Sequence, residues 1–336
     1  MNKKAILFST RKSLHISKEI AHYYGDILGK INFLEFSDGE YEPSFEQSVR
    51  GASVFLIGST MPPADNLMEL LLMCDAAKRS FARNITLVIP YFGWGRQDRK
   101  EKNRTPIGAK LVSNLITASG ATRVITMDLH ADQIQGFFEI PLENLYASTL
   151  FIEYIKQLKL DCLTIASPDM GGVKRARSYA GYLNADVVIQ LKLDCLTIAS
   201  PDMGGVKRAR SYAGYLNADV VICYKERKKA NNIDLMNIIG NVKNKNVIIV
   251  DDLVDTADTI LIASNLMKEQ GAKSIRAIAT HPILSGYAYE KIENSSLQEL
   301  VVTNTIKLNY KKFSKKITIL NCAKLLAQFM HKNSKI

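Results

Sequence analysis

The sequence has little of what marks the special classes of protein. Its five cysteines are scattered without a CxxC pair, which argues against a disulfide scaffold and against a zinc site of that spacing. Its nine prolines are few, as is usual in a globular chain. The apolar run after the basic start is too short for a signal peptide, and no other stretch approaches a membrane span. These absences predict a cytoplasmic protein with reduced thiols and no membrane partner.

The formal net charge of +11 is the main bias in the composition. Lys and Arg are nevertheless spread along the chain without an RNA-binding signature, so we expect no nucleic-acid partner. Anionic small substrates explain the charge as well, and a solvated surface explains it more simply. With 336 residues, 47% of them hydrophobic, the chain is long enough for two domains that each bury a core.

Apolar runs typical of strands alternate with helical patterns along the whole chain. This alternation predicts an α/β fold of two domains, each a mainly parallel sheet flanked by helices. In the first half, strands are expected at 5–9, 53–58, 86–91 and 123–129, and helices at 65–79 and 106–119. Thr105 is a candidate N-cap of the second helix, and Gly120 is its candidate stop. We place the boundary near Ala147, between domains 1–146 and 147–336.

A tandem duplication interrupts the second domain. Residues 157–189 recur without a change as residues 190–222. Solenoid repeats diverge and need several copies, so two identical copies indicate a recent duplication within a fold that needs only one. Each copy predicts a strand, a Ser-Pro-Asp-Met-Gly-Gly loop, a helix and a further strand.

The most informative stretch is an apolar run at 246–250 followed by the acidic and polar loop 251–259, with a helix expected from Ile260. A buried parallel strand that turns into a helix directs several backbone N–H groups at one point, which is a phosphate site. Thr256 and Thr259 add hydroxyl donors. Asp251 and Asp252 follow the strand directly, where they could hold ribose hydroxyls or a ligand-bound metal.

Five further segments carry chemistry. An apolar strand ends in the turn Phe36-Ser37-Asp38-Gly39-Glu40, and another runs into the glycine-spaced basic loop 90–100 (PYFGWGRQDRK). A third strand ends in 127–138 (MDLHADQIQGFF), with His130 as a possible metal ligand. The glycines of Ser-Pro-Asp-Met-Gly-Gly let a backbone approach a pyrophosphate. The segment 224–231 (YKERKKAN) has the composition of a mobile basic loop.

Together with the loop 251–259, these segments resemble ribose-phosphate pyrophosphokinases, in the order of that family and over nearly the whole chain. The resemblance implies two phosphoribosyltransferase-like domains and pyrophosphoryl transfer from ATP to ribose 5-phosphate, with Mg²⁺ and a homohexameric assembly. The Phe36 turn would then bind the adenine of ATP in a neighbouring subunit.

The resemblance also implies roles for individual residues. Lys225 and Arg227 would be catalytic, and His130 would hold the metal together with Asp169 or its duplicate Asp202, with a slight preference for Asp169. The implied ATP contacts are Phe36, Asp38, Gly39, Glu40, Arg96 and Gln97. The implied ribose 5-phosphate contacts are Arg227, Asp251, Asp252, Asp255, Thr256, Ala257, Asp258 and Thr259.

Two departures leave alternatives open. Asp258 replaces the usual Gly of the ribose-phosphate loop, where a carboxylate pointing inward would repel the ligand and a positive φ would strain the backbone. We expect Asp258 to point outward and to cap the following helix. Glu226 and Lys228 replace an Arg and a Pro that are common in the family. A catalytically degenerate homologue and an ordinary phosphoribosyltransferase are the rival interpretations.

Overall fold

The structure is a computed structural model. It describes residues 5–159, 163–165, 196–200, 206–216, 219–226, 235–239, 242–309 and 314–333. The chain divides into two compact units. Unit 1 comprises Met1–Ala147, Asn304–Lys307 and Asn321–Ile336, and unit 2 comprises Ser148–Thr303 and Leu308–Leu320. The domain boundary near Ala147 stays a prediction, and unit 1 includes C-terminal segments that the prediction placed in the second domain.

Unit 1 contains a five-stranded sheet in which every neighbouring pair of strands is parallel. Its strands, in sheet order, are β1 (Ile6–Ser9), β4 (Ser53–Ile57), β5 (Asn84–Ile89), β6 (Arg123–Met127) and β7 (Leu142–Leu145). The central strands are apolar along nearly their whole length because both faces of a parallel sheet are covered. A separate antiparallel hairpin consists of β2 (Ile31–Glu35) and β3 (Tyr41–Phe45).

Four helices belong to unit 1: α1 (Leu14–Tyr24), α2 (Asp65–Arg79), α3 (Gly108–Ser119) and α8 (Ala323–Asn333). Helices α1 and α8 contact each other, and the rings of Tyr24 and His331 stack with centroids 4.2 Å apart. The predicted Thr105 cap is wrong, because its hydroxyl donates to the Lys102 carbonyl and α3 begins at Gly108. The predicted stop is confirmed, since Gly120 has a φ of 109°.

Unit 2 contains an eight-stranded sheet. In sheet order its strands are β11 (Leu235–Ile239), β10 (Asp219–Glu226), β9 (Leu196–Ser200), β8 (Leu163–Ile165), β12 (Asn246–Val254), β13 (Ser274–Pro282), β14 (Glu299–Thr303) and β15 (Ile317–Leu320). The pairing is parallel except for the β10–β11 hairpin and one bridge between β8 and β9. Its helices are α4 (Ser148–Gln157), α5 (Val206–Leu216), α6 (Asp258–Glu269) and α7 (Ala288–Glu293).

Both copies of the duplicated strand enter this sheet. Thr164 in the first copy and Thr197 in the second copy are equivalent residues, and both are in register with Asp219 of β10. Residues 160–162 and 166–189 of the first copy, which include its predicted helix at 173–183, lie outside the described residues. In the part of the chain that the structure describes, no helix is both long enough and apolar enough to cross a membrane.

Candidate active site

The loop between β12 and α6 of unit 2 is shorter than the sequence predicted. Strand β12 continues past Val250 to Val254, and α6 begins at Asp258, so only residues 255–257 lie between them. The predicted strand end at Val250 is therefore wrong, and the helix begins two residues before its predicted start at about Ile260. Pairing with β13 extends the strand, since Asp251 is in register with Ala279 and Val254 with Pro282.

The short loop has a fixed shape. Ala257 is buried and adopts a left-handed conformation with a φ of 66°. The amides of Ile283 and Leu284 donate to the Val254 carbonyl at 2.9 and 3.0 Å, and the Ser285 hydroxyl donates to Asp255 Oδ1. Because the first amides of a helix have no partner within it, those at the start of α6 are directed towards this loop. The loop therefore suits an anion.

Asp251 and Asp252 lie at the end of β12 and share a cation that the sequence reasoning missed. Arg208 of α5 places Nη1 3.2 Å from Asp252 Oδ1 and 3.9 Å from Asp251 Oδ1. The Asp252 amide also donates to Asp251 Oδ1 at 2.8 Å. No local pattern singles out Arg208 among the Lys and Arg residues of its helix, because the contact depends on tertiary packing.

Asp258 points away from the loop, as expected, but the predicted cap is wrong, because Ala257 occupies the N-cap position and Asp258 is already the first residue of α6. Its side chain is 55% exposed and forms an ion pair with Lys291 at 2.6 Å. The positive φ falls on Ala257 and not on Asp258, which is the first residue of α6. A carboxylate in the first helical turn interacts favourably with the helix dipole. Asp258 is therefore compatible with an anion in the loop. Of the two hydroxyl residues, Thr256 is exposed and Thr259 is half-buried.

In unit 1, the basic loop after β5 is held against the chain that follows β4. The Gly93 amide donates to Thr60 Oγ1 at 2.8 Å, and an ideal Cβ on Gly93 would lie 2.2 Å from the Thr60 carbonyl oxygen. Only glycine fits so close an approach. The loop then turns through Trp94, whose φ is 60°, to Arg96 and Gln97, which are exposed. The Gln97 carbonyl accepts from Ala109 at the start of α3.

His130 lies on the neighbouring loop after β6. It is exposed, and its Cβ would be 3.5 Å from an ideal Cβ on Gly95. The side-chain amide of Gln133 donates to Asp98 Oδ2 at 2.6 Å, which joins this loop to the basic loop. The buried Asp128 carboxylate accepts from the Ala147 amide at 3.0 Å. Unit 1 therefore brings His130 and the basic loop together at the carboxyl ends of adjacent strands.

The Phe36 turn is the exposed tip of the β2–β3 hairpin. Gly39 has a φ of 96°, and the Glu40 amide donates to Asp38 Oδ1 at 3.0 Å. The aromatic side chain of Phe36 remains 47% exposed. The turn thus presents a ring and two carboxylates to the solvent on a compact loop.

Arg11 anchors the base of this hairpin and was not singled out from the sequence. Its guanidinium pairs with Glu69 at 2.8 Å and with Glu35, and it lies 4.7 and 4.8 Å from the ring centroids of Phe33 and Tyr41. Burial lowers the pKa of Arg11, but the hydrogen bonds and charges of both carboxylates outweigh that effect, so its pKa is raised. Arg11 therefore remains a cation that fixes the hairpin.

The predicted metal ligands are described only in part. Among the described residues, no group of three or more His, Cys, Asp or Glu side chains could hold a metal ion. Mg²⁺ keeps several waters and binds through one or two protein carboxylates and substrate phosphates, so a predicted site with few protein ligands is compatible with it. His130 is exposed beside the basic loop, and Asp169 and Asp202 both lie outside the described residues.

The catalytic pair is described only in part. Lys225 lies in β10 with its backbone paired to Met236 of β11, and Arg227 lies outside the described residues. The roles of both residues stay predictions.

Comparisons with known proteins agree with this architecture. The family model described as the N-terminal domain of ribose phosphate pyrophosphokinase matches residues 5–120, and that of the phosphoribosyl synthetase-associated domain matches residues 232–334. A ribose-phosphate pyrophosphokinase from Porphyromonas gingivalis is 47% identical over 96% of this chain and 92% of its own length. One from Wolinella succinogenes is 49% identical over 94% and 91%.

A solved structure is also similar over its whole length. The crystal structure of phosphoribosylpyrophosphate synthetase from Mycobacterium smegmatis covers 99% of both chains with a TM-score of 0.84 and 31% identity. The predicted fold class, α/β with two phosphoribosyltransferase-like parts built on mainly parallel sheets, is confirmed. The chain belongs to the ribose-phosphate pyrophosphokinase family.

Proposed function

We propose that this enzyme transfers the pyrophosphoryl group of ATP to the anomeric hydroxyl of ribose 5-phosphate. The products are 5-phosphoribosyl 1-pyrophosphate, a precursor for nucleotide biosynthesis, and AMP. The observation that carries the proposal is the β12–α6 turn, where a helix start suited to an anion lies shortly after two acidic side chains of β12. A sugar phosphate has both of the groups that this turn could bind: a phosphate for the backbone amides at the helix start, and hydroxyl groups that donate to the two carboxylates.

In the proposed complex, the 5-phosphate lies at the start of α6. Backbone amides and the hydroxyls of Thr256 and Thr259 donate to its oxygens. Asp251 and Asp252 accept from the ribose hydroxyls, and Asp255 and Ala257 shape the turn between them. The Ser285 hydroxyl, which donates to Asp255, fixes that shape before the ligand arrives. Asp258 stays outside because Lys291 pairs with it.

In the same proposal, ATP binds to the loops of unit 1. The fork of Arg96 suits phosphate oxygens, and Gln97 adds an amide donor. Phe36 stacks on the adenine, with Asp38, Gly39 and Glu40 forming the turn that accepts from its amino group. We propose that the turn serves the site of a neighbouring subunit in a homohexamer, and its exposed position at a hairpin tip supports such a role.

In the reaction, the anomeric oxygen forms a bond to the β-phosphorus while the bond from that phosphorus to the α,β-bridging oxygen breaks. The hydroxyl proton is lost, and AMP leaves with the bridging oxygen. Phosphoryl transfers of this kind need positioning and charge neutralisation more than covalent catalysis. Lys225 and Arg227 supply positive charge to the transferring group.

Bound Mg²⁺ supplies further neutralisation of the phosphate charge. His130 would hold it together with Asp202 or its duplicate Asp169. Among the described residues, the thiols of Cys74 and Cys322 are buried and in no disulfide, which supports the cytoplasmic location that we propose.

Purified enzyme incubated with ATP, Mg²⁺ and ribose 5-phosphate tests the proposal directly. We expect AMP release that depends on the sugar phosphate, together with equal amounts of a product that carries pyrophosphate at C1. Ribose without its phosphate is the control, because it lacks the group that the α6 turn binds. AMP release that is independent of the sugar phosphate, or none at all, would contradict the proposed function.

A further inference from the structure

We propose that the second copy of the duplicated unit, residues 190–222, is the copy that forms the ribose 5-phosphate side, and that its Arg208 positions Asp251 and Asp252. The role of Arg208 rests on the proposed function, whereas the choice between the copies does not. Because the copies are identical in sequence, side-chain preference cannot select one of them. The assignment is therefore carried by the contacts that the structure describes for the strand and the helix of the second copy.

The strand of the second copy is integrated into the sheet. It pairs in parallel with β10 over four residues, from Thr197 to Ser200. The described strand of the first copy pairs in parallel with β12 over three residues, from Leu163 to Ile165, and is in register with β10 at Thr164. Ile198 and Ala199 are completely buried, and Ala199 belongs to the main hydrophobic core of unit 2. The second copy thus contributes directly to that core.

The helix of the second copy is also packed. Ala209, Tyr212, Ala213 and Leu216 of α5 are buried, and Tyr212 is only 2% exposed. The Tyr212 ring lies 6.4 Å, centroid to centroid, from the ring of Phe151 in α4. Strand β9, helix α5 and strand β10 follow one another in sequence, and β9 and β10 are parallel neighbours, as in a β-α-β unit.

Helix α5 places Arg208 beside Asp251 and Asp252. The guanidinium is 19% exposed, and the Asp252 side chain is 7% exposed, so water screens their attraction only weakly. One cation within reach of both carboxylates limits their rotation and reduces their mutual repulsion. Arg208 therefore acts as a positioning residue that keeps two acceptors aimed at the ribose hydroxyls.

The duplication itself supplies a matched control for this role. Arg175 is the equivalent of Arg208 in the first copy, so Arg208→Met and Arg175→Met make the same chemical change at two places. We expect Arg208→Met to raise the KM for ribose 5-phosphate on the order of tenfold, with a smaller change in the KM for ATP, and Arg208→Lys to restore part of the loss. Arg175→Met should match the wild type. Equal effects of the two Met variants, or an effect of Arg175→Met alone, would overturn the assignment.

A second pair of variants tests the choice of copy without any activity. Tyr212→Ala removes a buried ring and should lower the midpoint of thermal unfolding by several degrees, whereas Tyr179→Ala, the same change in the first copy, should leave it unchanged. Aggregation of Tyr212→Ala, when Tyr179→Ala stays folded, would support the proposal as well as a lowered midpoint would. Equal destabilisation, or destabilisation by Tyr179→Ala alone, refutes it. If the wild type releases no AMP, the proposed function and the role of Arg208 fail, and the tyrosine pair still decides which copy supplies the packed helix.

Discussion

Replacing Gly93 with Ala should displace the basic loop of unit 1, which we propose binds ATP. The added methyl carbon would lie 2.2 Å from the Thr60 carbonyl oxygen, which is backbone and cannot rotate away. To reach an ordinary van der Waals distance, the methyl carbon and the carbonyl oxygen must move apart by about 1 Å. This movement would displace the loop and Arg96 by a similar amount. Overpacking of this kind costs about 1–3 kcal/mol of unfolding free energy. A displacement of about 1 Å at a positioning loop can reduce the rate by roughly 10²-fold.

Gly136 provides a control in the same unit. It lies in the short helical segment Asp132–Phe137, and an ideal Cβ there has no heavy atom within 4 Å. We expect Gly136→Ala to retain wild-type kinetics and Gly93→Ala to lose about 10²-fold in kcat/KM for ATP. Trp94 is the only tryptophan in the chain, so its emission reports directly on the loop. If Gly93→Ala retains wild-type emission and wild-type kcat/KM, the steric argument is wrong.

Four other changes test separate parts of the structure. Lys225→Ala should lower the rate of AMP release by roughly 10²-fold or more without changing the midpoint of thermal unfolding. Lys228→Ala, a nearby change of the same kind, is the control. A near-normal rate for Lys225→Ala would exclude Lys225 from the mechanism. Arg11→Met should destabilise unit 1 by about 1–3 kcal/mol in urea unfolding and raise the KM for ATP, because Glu69 is buried and loses its cation. Arg79→Met, which breaks an exposed pair with Asp75, should change neither quantity. Burial raises the pKa of Cys74 from 9.0 to about 11, so iodoacetamide at pH 8 should label this thiol only after unfolding. Between pH 9.0 and about 11, the free energy of unfolding should fall as the pH rises, because the Cys74 thiol loses its proton only in the unfolded chain. Cys74→Ser should remove this contribution to the pH dependence. Deleting either repeat copy yields the same polypeptide, which should fold and release AMP at least as fast as the full chain; an inactive product would show that both copies are needed.

The elements and the family could be predicted from the sequence because their signals are local. Apolar runs bounded by turns predict parallel strands, and Gly120 marks the end of α3 through its own backbone preference. The loops that carry Phe36, Arg96 and His130 follow strands directly, so their positions come from order along the chain. The anion site after β12 was predicted for the same reason.

What could not be predicted depends on contacts between distant residues. Strand β12 extends to Val254 only because β13 runs beside it, and no residue of the loop signals that partner. Arg11 and Arg208 look like ordinary surface cations until the fold brings carboxylates to them. The outward direction of Asp258 likewise depends on Lys291, which lies on another helix.

Both copies of the duplicated strand are in register with Asp219 of β10, so the folding chain must select between two identical strands for one position in the sheet. Both neighbours of the duplicated strand, β10 and β12, come later in the sequence, so both copies have left the ribosome before either neighbour is available. The loop from β9 to β10 is much shorter than the loop from β8 to β10. Closing the longer loop costs roughly 1 kcal/mol more in chain entropy. Distance along the chain alone therefore favours the second copy beside β10, although its side chains are identical to those of the first.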